Sequence, residues 1–170
     1  MDQLGTLGLM QVRKVIWILN RLSGFGIQKF KRLREELGDL TRLLDPKILN
    51  QLRDAPAWGV EFANSFREIL ISGEFERETE RCFKEGMHLL SLLDREYPKN
   101  LFSVYDPPLI LYVQGAFIPE DEAAIAIVGS RHPTAYGLRT ASRFAHELAE
   151  RGVTIVSGFA RGIDGEAHRG

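Results

Sequence analysis

Ala124-Ile125-Ala126-Ile127-Val128-Gly129-Ser130-Arg131 and, further on, Val153-Thr154-Ile155-Val156-Ser157-Gly158-Phe159-Ala160-Arg161-Gly162-Ile163-Asp164 decide the fold class. Each is an apolar run rich in β-branched residues that ends in a glycine-bearing loop and opens a helix. Between them, residues 135–151 have helical periodicity. Leu138, Ala141, Ala145, Leu148 and Ala149 share one face, and Arg139, Arg143, His146, Glu147 and Glu150 the other. That stretch is long enough for a right-handed crossover between parallel strands. Both strands are apolar throughout, as in a sheet covered on both faces. An α/β fold is expected.

Two such turns place two loops side by side at the carboxyl ends of neighbouring strands. Backbone N–H groups and helix N-termini there favour an anion, and glycine permits its close approach. The expected ligand carries phosphate, as a nucleotide or as a nucleic-acid backbone. At the first turn the amides of Gly129 and Ser130 would cradle phosphate and Arg131 would add a charge-assisted contact. The plain alternative is a βα turn with a solvent-facing arginine. At the second turn Gly158 and Gly162 permit a tight loop, and Arg161 could reach the same anion. Asp164 reads as a cap on the next helix. Phe159 could stack a base, but a buried anchor is the favoured reading.

Upstream the texture differs. Residues 11–20 and 27–37 read as helices joined by the tight turn Leu22-Ser23-Gly24-Phe25-Gly26, with Gly38 as the second helix's stop. The 61–86 region reads as helical and very acidic, with Phe75, Thr79, Cys82 and Phe83 as a narrow inner stripe. A domain boundary is expected near Gly86. Residues 1–86 then form a small helical domain, and 87–170 begin an α/β domain with strands at 87–93 and 109–113. One complete crossover is too little for a finished doubly wound sheet, so an N-terminal piece of a longer protein is expected.

The chain has 170 residues and a formal net charge of −1, which gives no global basic signature for nucleic acid. Distribution says more. Residues 1–50 hold nine Lys/Arg against five Asp/Glu, residues 51–123 seven against fourteen, and residues 124–170 six, all arginine, against four. Local patches matter for an anionic partner. Cys82 is the only cysteine, so no intrachain disulfide or cysteine-based metal site can form, and a reducing cytoplasmic setting is expected. No apolar run reaches the ~18 residues of a membrane span. His168 lacks a nucleophile–acid partner set and the four histidines are scattered. No metal spacing is visible. Neither catalysis, nor a metal, nor a cofactor is expected.

The strings Ile127-Val128-Gly129-Ser130-Arg131 with Tyr136-Gly137, Thr154 to Asp164, and Ala167-His168-Arg169-Gly170 resemble the DNA-processing protein A family (DprA, also called Smf). So do Tyr97-Pro98-x-x-Leu101, Asp106-Pro107-Pro108 and Leu111-Tyr112-Val113-x-Gly115. The resemblance is close over the second half and loose over the first. It implies a Rossmann-like second domain after a helical one of sterile-alpha-motif (SAM) kind. It implies single-stranded DNA binding and protection in natural transformation, loading of the RecA recombinase, and homodimers formed through residues beyond this stretch. The arginine matching Arg131 belongs to the family's DNA pocket, and Ser157 and Gly158 match its floor. Residues 22–26 with Lys29 resemble a helix–hairpin–helix hairpin, making Gly24, Gly26 and Lys29 secondary DNA contacts, although an ordinary helical hairpin explains them slightly better. The alternative is a nucleotide-binding member or nucleotide phosphoribohydrolase of the same Rossmann-like superfamily. A NAD-linked dehydrogenase is disfavoured, because Gly-Ser-Arg is not G-x-G-x-x-G and no acidic residue closes the second strand.

Overall fold

The computed structural model describes the backbone of residues 3–170 and the side chains of residues 8–170. The chain is mixed α/β and divides into two compact units, Met1–Ala116 and Phe117–Gly170.

The first unit contains helices α1 (Gln3–Arg21), α2 (Ile27–Leu37), α3 (Pro46–Asp54), α4 (Gly59–Ile71) and α5 (Glu74–Lys84), with a 3-10 turn at Leu40–Leu44. An antiparallel hairpin follows, β1 (Met87–Ser91) and β2 (Ile110–Gln114), with the short α6 (Lys99–Phe102) between its strands. Val15, Ile16, Trp17, Ile18 and Leu19 are five consecutive residues, each at most 2 % exposed. A helix apolar and buried all round must be central, so α1 is the axis of the unit rather than a surface helix with one inner side. Asp45 caps α3 by accepting from the Lys47 N–H, with Pro46 at the first helical position. The 61–86 region is two helices, broken at Gly73 in the left-handed region. On α5, Phe75 and Cys82 are buried, but Phe83 is 83 % exposed, so the expected inner stripe is narrower still.

The compact units divide after Ala116, later than the change of texture at Gly86. The β1–β2 hairpin joins the helices because Leu89, Leu92, Tyr97, Leu109 and Ile110 share their hydrophobic core. Polar contacts fix it there as well. Arg13 on α1 donates through Nε and Nη2 to the Asp94 carboxylate at 2.9–3.1 Å. Asp94 also accepts from the Ser91 N–H and from the Ser91 hydroxyl at 2.7 Å. The Trp17 indole N–H donates to the Tyr112 hydroxyl at 3.1 Å.

The second unit has a 3-10 turn at Pro119–Glu122, β3 (Ala124–Ala126), α7 (Ala135–Ala149), β4 (Thr154–Val156) and α8 (Ile163–Ala167). The strands pair in parallel, with Ala124 opposite Thr154 and Ala126 opposite Val156. Thr134 caps α7 by accepting from the Gly137 N–H at 3.1 Å. Ala141 and Ala145 are buried, whereas Ala149, expected on the same inner face, is exposed. The sheet is covered less than its apolar strands imply, since Ile125, Val128 and Val156 are exposed. Among the described residues no helix is long and apolar enough to cross a membrane.

Burial alone raises the pKa of Asp94, but the Arg13 and Ser91 hydrogen bonds outweigh it and hold the carboxyl below its ordinary value. A depressed folded pKa stabilises above the unfolded pKa of ~3.9, and that stabilisation is lost as pH falls through the folded value. Arg13→Met should destabilise the chain by about 3 kcal/mol near neutral pH, because it strands a buried carboxylate. In urea titrations the difference from wild type should shrink below about pH 4. A deficit that persists undiminished in acid would show that lost packing, not the ion pair, is responsible.

Candidate nucleic-acid interface

The loop after β3 and the loop after β4 are clasped to each other. The Gly129 N–H donates to Asp164 Oδ1 at 3.0 Å. The Ile163 N–H donates to the Ser130 carbonyl at 3.2 Å. The Ser157 hydroxyl donates to the Ile127 carbonyl at 2.7 Å, closing the base of the same joint. Two glycines make this approach possible. A Cβ at Gly129 would stand 2.8–2.9 Å from three carbons of Ile163. A Cβ at Gly162, whose φ is +91°, would strike the Ser130 carbonyl oxygen.

This geometry reassigns several of the roles expected from the sequence. Asp164 does not cap α8, whose N-cap is Gly162 without a side-chain hydrogen bond. Its carboxylate instead reaches across to the neighbouring loop and is buried. The Gly129 N–H is occupied by that carboxylate, so Gly129 serves the clasp first. The Ser157 hydroxyl likewise points into the joint, and Gly158 packs by Asp164, a Cβ there meeting Oδ2 at 3.0 Å. The Ser130 hydroxyl accepts from the His132 N–H at 3.0 Å, an intraloop turn.

The clasp uses no arginine side chain. Arg131 and Arg161 line one shallow groove with Pro133, Gly162, Glu166 and Arg169. Arg169 pairs with Glu166 at 3.0 Å. Among the described residues no ion pair or side-chain hydrogen bond engages Arg131 or Arg161. The clasp thus brings into one groove the two cations that the sequence expected to reach the same anion.

Phe159 is not a buried anchor. It is 77 % exposed, its φ of +54° lies in the left-handed region, and its ring meets that of His168 edge-on at 5.2 Å. A bulky side chain at positive φ is uncommon and costs backbone energy. His168 is an exposed neighbour of this aromatic. Among the described residues no cluster of His, Cys, Asp and Glu is arranged to hold a metal ion.

Gly24, Gly26 and Lys29 belong to the other unit. Gly24 has φ +64° and Gly26 is the N-cap of α2. Phe25 between them is buried and meets Phe62 and Trp58 at 6.0 and 6.3 Å. The hairpin is therefore pinned through its core residue. Lys29 lines a depression with Arg21, Glu61 and Glu68, where acid and base balance. This differs from the arginine groove, where one carboxylate faces three guanidiniums.

Comparison with known proteins agrees with the glycine–arginine turns. The family described as DNA recombination-mediator protein A matches residues 88–170. Through those residues the chain is similar to the DprA/Smf family. It is 42 % identical over 94 residues to the Smf protein of Escherichia coli, covering 54 % of this chain and 25 % of that protein. It is 38 % identical over 86 residues to the DNA processing protein DprA of Bacillus subtilis, covering 50 % of this chain and 29 % of that one. Against DprA of Streptococcus pneumoniae it is 37 % identical over 78 residues, with 46 % and 27 % covered. The chain thus spans about a quarter of the length of these relatives. The matched segment starts next to Gly86, although the hairpin that opens it packs with the helices.

Gly129→Ala should destabilise the second unit by about 1–3 kcal/mol through overpacking on Ile163. Adding Ile163→Ala should recover part of the loss, a non-additive coupling expected of touching residues. Thermal melts followed by circular dichroism measure both, and strict additivity would mean that the two loops do not touch.

Proposed function

We propose that this chain acts in DNA processing by binding single-stranded DNA through the clasped loops of its second unit. One observation carries the reading: two guanidiniums, Arg131 and Arg161, share a groove whose one carboxylate, Glu166, is paired with Arg169 at 3.0 Å. Such a pair suits a phosphodiester backbone, which arginine meets with a rigid fork of donors. Similarity to the DprA/Smf family supports a role with DNA. Gly129, Gly158, Gly162, Ser130 and Ser157 shape the site, and Arg131 and Arg161 bind.

Phosphate contacts carry no base information, so binding is sequence-independent. The function is protection of single strands and delivery to a RecA-type recombinase during natural transformation, carried out by a homodimer of the whole protein, with no covalent step. In this reading the second unit is the start of a Rossmann-like domain, and the helical unit is SAM-like, with Gly24, Gly26 and Lys29 as secondary backbone contacts.

Fluorescence anisotropy of labelled oligo-dT and of its duplex, across a salt series, tests this with the parent chain and its Arg131→Ala variant. Single strands should bind better than duplex. Affinity should fall with salt at a log–log slope near ~0.7 per phosphate contacted. Arg131→Ala should weaken binding clearly. No preference for single strands, together with no effect of Arg131→Ala, would move a mononucleotide ligand and the phosphoribohydrolase reading to the front.

A further inference from the structure

Beside the loop groove lies a second depression on the surface of α7 and α8. It is lined by Arg139, Ser142, Arg143 and His146 of α7 and by Glu166 and Arg169. The two depressions share Leu138, Glu166 and Arg169, so they are continuous. Positions 139, 142, 143 and 146 follow the i, i+3, i+4, i+7 rule and form one stripe along the helix. From Arg139 to His146 that stripe runs roughly 10 Å at 1.5 Å per residue.

The charge of the combined track is one-sided. Arg131, Arg161, Arg169, Arg139 and Arg143 line it, and among the described lining residues Glu166 is the only acidic side chain. Glu166 is already taken by Arg169 at 3.0 Å. Among the described residues Arg139 has no ion pair or side-chain hydrogen bond. Arg143 is held loosely, 3.8 Å from Glu147 on its own helix and 5.6 Å from the Phe144 ring centroid. Unneutralised guanidiniums on one strip repel one another and destabilise the free chain slightly, a cost that a bound polyanion removes. A single phosphate would need only the loop groove. A row of cations extending along a helix fits a chain of phosphates.

We propose that the single-strand site does not end at the loops but continues along α7. The backbone of the strand leaves Arg131 and Arg161, passes Arg169 and follows Arg139 and Arg143. This rests on the single-stranded-DNA reading above and adds the path and length of the bound strand. Arg131 and Arg161 anchor any strand, and the α7 stripe engages only a longer one. Arg151, also exposed and also near the end of α7, donates to the Glu147 carbonyl at 2.6 Å and lies outside the track.

Anisotropy with oligo-dT of roughly 4 and roughly 16 nucleotides separates the possibilities, using the full chain with Arg131→Ala, with Arg139→Ala plus Arg143→Ala, and with Arg151→Ala. The α7 double variant should weaken the long strand by roughly tenfold and lower its salt slope by about 1.4, two contacts at ~0.7 each. It should leave the short strand unchanged. Arg139→Lys plus Arg143→Lys should restore most of the slope, and Arg151→Ala should change nothing. The track is overturned if the double variant binds both lengths as the parent does, or if Arg151→Ala reproduces its effect, which would mark a response to net charge alone. If Arg131→Ala weakens both lengths while the α7 double variant weakens neither, the loop site stands and its extension falls. If no variant changes binding of either length, both readings fail together. Matched circular dichroism melts exclude unfolding as the cause.

Discussion

The second unit depends on the approach of two backbone loops to within hydrogen-bond distance, and that approach is possible only because Gly129 and Gly162 lack a Cβ. With the space open, Asp164 reaches across to the Gly129 N–H, and the Ser130 carbonyl receives the Ile163 N–H. A carboxylate buried beneath a proposed site for anions looks self-defeating at first. It is the natural device for holding the loops together, because a charged acceptor makes a stronger bond than a neutral one. The cost is one negative charge below the surface. Arg131 and Arg161 project from the two clasped loops, so the bond that consumes a backbone donor also converges the side-chain donors. In the proposed reading, recognition is a property of guanidiniums held by a joint rather than of a nest of free amides.

The helical unit follows a different logic. A helix with five successive residues out of water cannot sit at a surface, and everything else in the unit is arranged around α1. The hairpin belongs to that arrangement by its apolar residues and by the bidentate Arg13–Asp94 pair, which carries its own pH dependence. A segment can therefore be continuous with one unit in packing and with the other in family descent. The family match begins at residue 88 while the compact division falls after Ala116. These two boundaries measure different things. Packing follows where apolar side chains find cover, and descent follows where sequence is shared.

The parallel pair, its crossover helix and both glycine turns are legible in the sequence because they are local. A β-branched run, a turn glycine and a 3.6-residue period lie within a dozen residues of one another. The central position of α1 is less legible, since Val15, Ile16, Ile18 and Leu19 read mostly as one side of a helix until Trp17 is also found buried. Within the site, the local period also revealed which α7 residues face outward, Arg139 and Arg143 among them. The bond from Gly129 to Asp164 joins residues far apart in sequence, and no local pattern announces it. Asp164 at the start of a helix resembles a cap by position alone. Phe159 misleads for a similar reason: an aromatic in an apolar-looking loop suggests burial, and only the left-handed backbone at that residue turns the ring outward.

The use of arginine alone in residues 124–170 follows from the same joint. Lysine is a hydrated point charge on a flexible stem and needs no fixed platform. Arginine presents a planar fork whose benefit depends on orientation. A loop pair fixed by three cross-hydrogen bonds and two glycine contacts supplies orientation to Arg131 and Arg161, and a regular helix supplies it to Arg139 and Arg143. Exposed cations that lack carboxylate partners contribute nothing to folding and mildly oppose it. Their clustering on the loop pair and on one stripe of α7, where Glu147 approaches Arg143 only to 3.8 Å, suits the extended polyanion proposed above. A surface tuned only for solubility would intersperse the signs.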